Sequence, residues 1–144
     1  MIDYNKIFLD TSPIIYFLDE DINYGDKVKI ILETFLAANK KLVTSTITCE
    51  EYLVYPYKTN NTEKIEVFFD FILDCNIPLS VINLETAKKA AAIRAKYKNF
   101  KAMDALQLAS ACIQNCDLFL TNDKQLKQFT ELPCLTIDDY NVLG

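Results

Sequence analysis

The sequence has no histidine, and its 144 residues include two glycines, Gly25 and Gly144. Without His, neither a Ser-His-Asp relay nor a His-ligated zinc centre can be built. Two glycines are too few for a P-loop or a dinucleotide-binding turn, each of which needs several. The five cysteines, Cys49, Cys75, Cys112, Cys116 and Cys134, contain no Cys-x-x-Cys pair. An odd number in an apolar chain reads as buried thiols. Arg94 is the one arginine among fifteen cations, so the surface is short of planar, bidentate phosphate contacts. No apolar run approaches the roughly 18 residues of a membrane span. The residues before Ile7 are acids and amides rather than a basic segment, so no signal peptide is visible. These absences point to a soluble cytoplasmic protein whose catalytic means are carboxylates, lysines, hydroxyls and a hard metal ion.

What the chain does have is apolar mass. Hydrophobic residues make up 51%, enough for one domain over residues 1–144 with a sizeable core. Short apolar or β-branched runs predict strands at Lys6–Leu9, Lys41–Ser45, Leu79–Ile82, Asp117–Thr121 and Leu135–Ile137. Helical periods lie between them. Val28, Ile31, Leu32, Phe35 and Leu36 form one stripe, and Ile65, Phe68, Phe69 and Ile72 a second. Ala87, Ala91 and Ala95 line up in a third, and Ala105, Leu108, Ala109 and Cys112 in a fourth. Pro56 predicts a bend over Tyr55–Thr62. Strands alternating with helices imply an α/β fold: three layers, a mostly parallel central sheet and helices on both faces.

Ligands of such sheets bind at the carboxyl ends of the strands. Four acids fall there. Asp10 follows the first strand, Glu51 lies about a turn into the segment after the second, Asp104 opens the helix before the fourth, and Asp123 follows that strand. Each also has a local reading. Asp10 ends a strand and starts a turn, Thr48-x-x-Glu51 reads as a capping box, and Asp104 reads as an N-cap with Gln107 at N3. Asp123 reads as an Asx-turn or another N-cap. Four such coincidences in strand order favour a shared site.

The same residues carry a resemblance. IFLDTSPIIYFLD, TSTITCEEYL, MDALQLASA and LFLTND resemble, in order, the four motifs of the PIN domain as found in VapC-type toxins of toxin–antitoxin pairs. Counting from Ser45 and Thr48, the second motif's acid is Glu51; neighbours on a helix point about 100° apart, so Glu50 faces elsewhere. The resemblance implies a PIN-like fold, an acidic pocket for Mg²⁺ or Mn²⁺, and endonucleolytic RNA cleavage. It also implies a homodimer and a small antitoxin partner. On this reading Asp10, Asp104 and Asp123 hold the metal, and Glu51 completes the set or orients the attacking water. Thr11, Ser12, Thr121 and Asn122 support them. Arg94, Lys96, Lys98 and Lys101 are the candidate contacts to RNA phosphates, with Tyr97 and Phe100 interleaved for stacking on bases.

Other classes fit less well. A haloacid-dehalogenase-type phosphatase needs a second Asp two residues after the first, where this chain has Ser12. A receiver-type phosphoacceptor needs paired acids after the first strand, which Asp10-Thr11 does not supply. The alternative that remains is a catalytically inactive PIN-like module that binds protein or RNA.

Overall fold

The computed structural model describes residues 3–140. Five strands lie among the described residues: β1 (Lys6–Leu9), β2 (Lys41–Ser45), β3 (Leu79–Ser80), β4 (Leu118–Thr121) and β5 (Cys134–Thr136). They alternate with α1 (Thr11–Leu18), α2 (Gly25–Ala37), α3 (Thr46–Lys58), α4 (Thr62–Asp74), α5 (Leu84–Lys96) and α6 (Ala102–Ile113). The sheet order is β3-β2-β1-β4-β5 and every pairing is parallel. The chain adds β2 and β3 on one side of β1, then β4 and β5 on the other. The order therefore reverses between β1 and β4, the switch point at which open α/β sheets take their ligands.

Alternation along the strands explains both layers of helices. Ile7 and Leu9 of β1, Leu42 of β2, and Leu118 and Leu120 of β4 join one core with Ile14 of α1, Val28 of α2, Tyr52 of α3 and Phe68 of α4. Phe8, Val43 and Phe119 point to the opposite face, onto Ala90 and Ile93 of α5 and Ala105 and Leu108 of α6. A sheet buried on both faces needs continuous apolar strands, which is why KIFL and LFLT show no polar alternation. Phe8 and Phe119 stack across β1 and β4 with ring centroids 5.2 Å apart.

The shortage of glycine is met by asparagine. Asn39, Asn60, Asn76 and Asn115 follow the ends of α2, α3, α4 and α6 and take φ between 51° and 58°. After Gly, Asn enters this left-handed region most readily. At Asn76 the turn closes with Ile77 N donating to Ile72 O at 2.9 Å and Asn76 N to Leu73 O at 3.1 Å, the paired bonds of a Schellman motif.

Several local expectations differ from the structure. The bend expected over Tyr55–Thr62 is present, between Lys58 and Thr62, but Pro56 does not end the helix: α3 runs through it to Lys58. The reversal comes at Asn60, and Asn61 caps α4 by accepting from Lys64 N. The alanine row Ala87, Ala91, Ala95 faces solvent. The buried face of α5 is Thr86, Ala90 and Ile93, since Ile93 offers the core more apolar area than any alanine. On α4, Phe71 is buried and Phe69 is exposed, the reverse of the stripe expected there; in a helix apolar around much of its girth, periodicity alone does not choose the inward face. β3 stops at Ser80, β4 begins at Leu118 and β5 runs one residue earlier than expected. All five cysteines are free thiols; Cys116 and Cys134 are buried and the others half-buried. Among the described residues no helix is long and apolar enough to cross a membrane.

Candidate active site

Asp10 leaves the end of β1 with its backbone N–H donating to Leu120 O of β4 at 3.0 Å. It is the N-cap of α1, its Oδ1 accepting from Thr11 N at 2.9 Å. Thr121, the last residue of β4, donates from Oγ1 to Asp10 Oδ2 at 2.8 Å. Gln107 Nε2 of α6 stands 3.3 Å from Asp10 Oδ1. Burial pushes the Asp10 carboxyl up to about 6, against these hydrogen bonds, and the charge of Asp104 adds to the rise. The Asp10 carboxylate is thus a poorly solvated charge at the switch point.

The other acids come from three further elements. Asp104 lies in the first turn of α6, whose N-cap is Lys101, so the N-cap expected at Asp104 sits three residues earlier. Burial first, then the charges of Asp123 and Glu51, push the Asp104 carboxyl up, against the pull of Lys101. Asp123 caps the short 3-10 helix Lys124–Gln128 through Gln125 N, as expected locally, while its backbone N–H donates to Thr121 Oγ1 at 3.1 Å. Glu51 accepts from Thr11 Oγ1 at 2.6 Å. Glu50 and Glu51 are both exposed, but Glu50 has no side-chain hydrogen bond among the described residues. The acid of α3 that faces the β1 end is therefore Glu51.

The capping box expected at Thr48 and Glu51 is absent. Ser45 is the N-cap of α3, accepting from Ile47 N, because the helix starts directly at the strand end. Thr48 is inside the helix and buried, its hydroxyl hydrogen-bonded to Thr44 and Thr11. Of the other supporting residues, Asn122 donates to Tyr16 Oη at 3.0 Å, and half-buried Ser12 makes no side-chain hydrogen bond among the described residues. Two contributors escaped the sequence reading. Gln107 reads locally as a capping partner and instead lies buried at the centre of the polar contacts, and Tyr16 stands in the sequence only within the motif IFLDTSPIIYFLD.

The expected RNA contacts divide. Arg94, Lys96, Lys98 and Lys101 are all exposed, and Lys101 is near enough to Asp104 to act on its carboxyl. Tyr97 and Phe100 are not free to stack on bases. They stack on each other with centroids 5.1 Å apart, Phe100 is buried, and the Tyr97 hydroxyl is bonded to Thr130.

The donor set is oxygen only: four carboxylates, of which Asp10 and Asp104 are pushed up first by burial and then by neighbouring acids. That chemistry suits a hard divalent cation. Among the described residues, however, no three acidic or thiol side chains stand together closely enough to hold one ion as they are placed. Holding an ion with three of them therefore requires side chains to turn inward.

A parallel three-layer sheet with carboxylates at its switch point defines an α/β domain with an acidic strand-end site. The chain belongs to the PIN domain family, whose family model it matches over residues 7–132. Comparison with curated protein sequences finds no match. Among solved structures it is similar to a chain of VapBC2 from Rickettsia felis bound to a promoter DNA fragment, at TM-score 0.74 and 18% identity, covering 91% of this chain and 98% of that one. It is also similar to a chain of a toxin–antitoxin complex from Klebsiella pneumoniae, at TM-score 0.68 and 23% identity over 91% and 97%. A chain of DNA-bound VapBC from Salmonella typhimurium matches at TM-score 0.68 and 18% identity over 92% and 98%. Identities this low show a shared fold.

Proposed function

We propose that this chain is a Mg²⁺- or Mn²⁺-dependent endoribonuclease acting as the toxin of a toxin–antitoxin pair, with Asp10, Glu51, Asp104 and Asp123 as its metal-binding and catalytic residues. The observation that carries this reading is the placement of acids from separate elements at one strand edge: Thr121 ties Asp10 to the end of β4 beside Asp123, Thr11 ties Glu51 to the end of β1, and Asp104 in the first turn of α6 is near enough to raise the Asp10 carboxyl. Structural likeness to toxin–antitoxin complexes supports the pairing with a small antitoxin. A bound ion would supply charge neutralisation on the scissile phosphate and an acidified water. The protein's own part is to hold the acids. Thr121 and the Thr11 N–H fix the two oxygens of Asp10, the Thr11 hydroxyl fixes Glu51, and Lys101 offers a cation beside Asp104 for an RNA phosphate. Arg94, Lys96 and Lys98 extend that positive edge.

The test is cleavage of structured and unstructured RNA with Mn²⁺ against EDTA, using two neighbouring variants. Glu51→Gln should lower kcat by about 100-fold or more, as loss of a group handling the water would, and Glu50→Gln should cut like wild type. The reverse pattern would move the role to Glu50. One observation favours the second reading, an inactive binding module: among the described residues no three acids reach one ion as the side chains stand. A chain stabilised by Mn²⁺ argues against that module.

We further propose a homodimer formed through α3 and α4. Val54, Tyr55 and Tyr57 at the end of α3 and Val67, Phe69 and Leu73 on α4 are all exposed, Leu73 at 74%. Exposed apolar side chains on two helices that pack together, as α3 and α4 do, are the kind of surface that marks an interface. A groove of about 350 Å³ beside it, lined by Phe17, Leu18, Val67 and Phe71 with Asp70 and Asp74, suits an apolar segment of an antitoxin. Light scattering should give twice the mass of the chain at micromolar concentration; a monomer there removes the dimer.

A further inference from the structure

We propose that Gln107 is a positioning residue that aims two of the site's carboxylates at once, an inference that rests on the metal-site reading above. Gln107 is 2% exposed and reaches from α6 across the ends of β1 and β2. Its Oε1 accepts from Ser45 Oγ. Its Nε2 donates to Thr48 Oγ1 at 2.9 Å and stands 3.3 Å from Asp10 Oδ1 and 3.4 Å from Thr11 Oγ1. The opposite orientation would turn Oε1 onto the Asp10 carboxylate, acceptor against acceptor, so the contacts fix which end of the amide faces the acids.

The hydroxyls then follow in one direction. Thr11 Oγ1 gives its proton to Glu51 Oε1 at 2.6 Å, so it can only accept from Thr48 Oγ1, 3.2 Å away. Thr48 gives its proton to Thr11 and accepts from Gln107 and from Thr44 Oγ1, 2.8 Å away. One Nε2 hydrogen thus starts a chain Gln107–Thr48–Thr11–Glu51, and the other turns toward Asp10. A single buried amide ties the acid after β1 to the acid of α3. Among the described residues no buried side-chain polar atom lacks a partner, so removing the amide leaves several groups unserved. The choice of Gln is informative. A lysine there would also donate, but its charge would neutralise Asp10 and compete with a cation. The amide orients the carboxylates and leaves their charge for the ion.

The experiment compares the full-length wild type with Gln107→Met and Gln107→Glu. Met fills the space and donates nothing; Glu keeps the acceptor for Ser45 and lacks the ionised-state donor toward Asp10. In metal-free protein, the carboxyl carbon resonances of Asp10 and Glu51 should both move in each variant. With Mn²⁺ as the probe, affinity read by electron paramagnetic resonance should weaken about 10–100-fold, the usual cost of losing a group that orients a metal ligand. The kcat for RNA cleavage should fall with it while KM stays near the wild-type value. Unchanged resonances and Mn²⁺ affinity overturn the proposal, as does a change in KM alone. Loss of a cooperative melt in both variants would assign Gln107 to the core and overturn it too. A wild type that binds no Mn²⁺ would instead remove the metal-site reading itself; the metal-free resonances keep that failure separate.

Discussion

Asp10→Asn should abolish metal-dependent RNA cleavage and raise the melting temperature of the metal-free protein. The mutation removes a charge that burial and Asp104 disfavour, moving the carboxyl from 3.8 to about 6. That displacement is worth roughly 3 kcal/mol at most. The charged form has hydrogen bonds from Thr121, Thr11 and Gln107 that Asn only partly keeps, so about 1–2 kcal/mol should remain, or roughly 3–6 °C for a chain of this size. The cap on α1 survives, since Asn and Asp cap equally well. The sign with pH follows from the direction. An acid raised in the folded state contributes stability that is fully present below its unfolded value, near 3.8. That stability is lost as the pH climbs through about 6. Wild type and mutant should therefore melt alike near pH 4, diverge as the pH rises from about 4 to about 6, and keep a constant difference above that, with the mutant higher. Mn²⁺ should stabilise the wild type more than the mutant. An Asp10 that serves only as a turn former predicts a mutant that melts lower in EDTA and keeps its Mn²⁺ shift.

Phe119→Ala should cost roughly 3–5 kcal/mol, the usual range for emptying a buried aromatic site, and lower the melting temperature by about 10–15 °C. Phe119 is fully buried and stacks flat on Phe8. Strands on both sides leave little room for collapse into the gap. The two rings lie directly beneath the site: Phe8 is two residues before Asp10 and Phe119 two before Thr121, on the same face. Loosening them should weaken Mn²⁺ binding as well as stability. Chemical denaturation and a Mn²⁺ titration measure both. A loss below 1 kcal/mol would mean that the stacked pair does not anchor these strands.

The parts of the fold that were legible are those where one period dominates. KIFL and LFLT read as strands because nothing polar interrupts them, and burial on both faces is what permits that. Asp10 and Asp123, the acids that directly follow β1 and β4, were legible for the same reason, since a strand end is a definite point in the chain. Glu51 over Glu50 followed from helical direction, and of the two Glu51 is the one that accepts a side-chain hydrogen bond, from Thr11 Oγ1. Local chemistry misled where tertiary contacts compete. Thr48 has the spacing of a capping box, yet β2 runs straight into α3 and Ser45 takes the cap, freeing Thr48 for the polar network. Gln107 lies three residues after Asp104, so it reads as a capping partner. Its contacts to Ser45, Thr48 and Asp10 span sequence separations of 62, 59 and 97, which no local pattern encodes. Pro56 marked the bend but not where the helix ends, because its position within the helix, not its presence, decides whether it breaks one. On α5, three aligned alanines outweighed a single Ile93 in the pattern, whereas burial follows area.

The central claim is that acids from four elements serve one cation at the β1–β4 switch point. Anomalous diffraction from crystals of the chain grown with Mn²⁺ tests it most directly. A peak is predicted beside Asp10, with Asp104 and at least one of Glu51 and Asp123 turned in to complete its oxygen shell. Mn²⁺ peaks elsewhere on the surface, with the side chains of Asp10 and Asp104 unmoved and no ion between them, would contradict it.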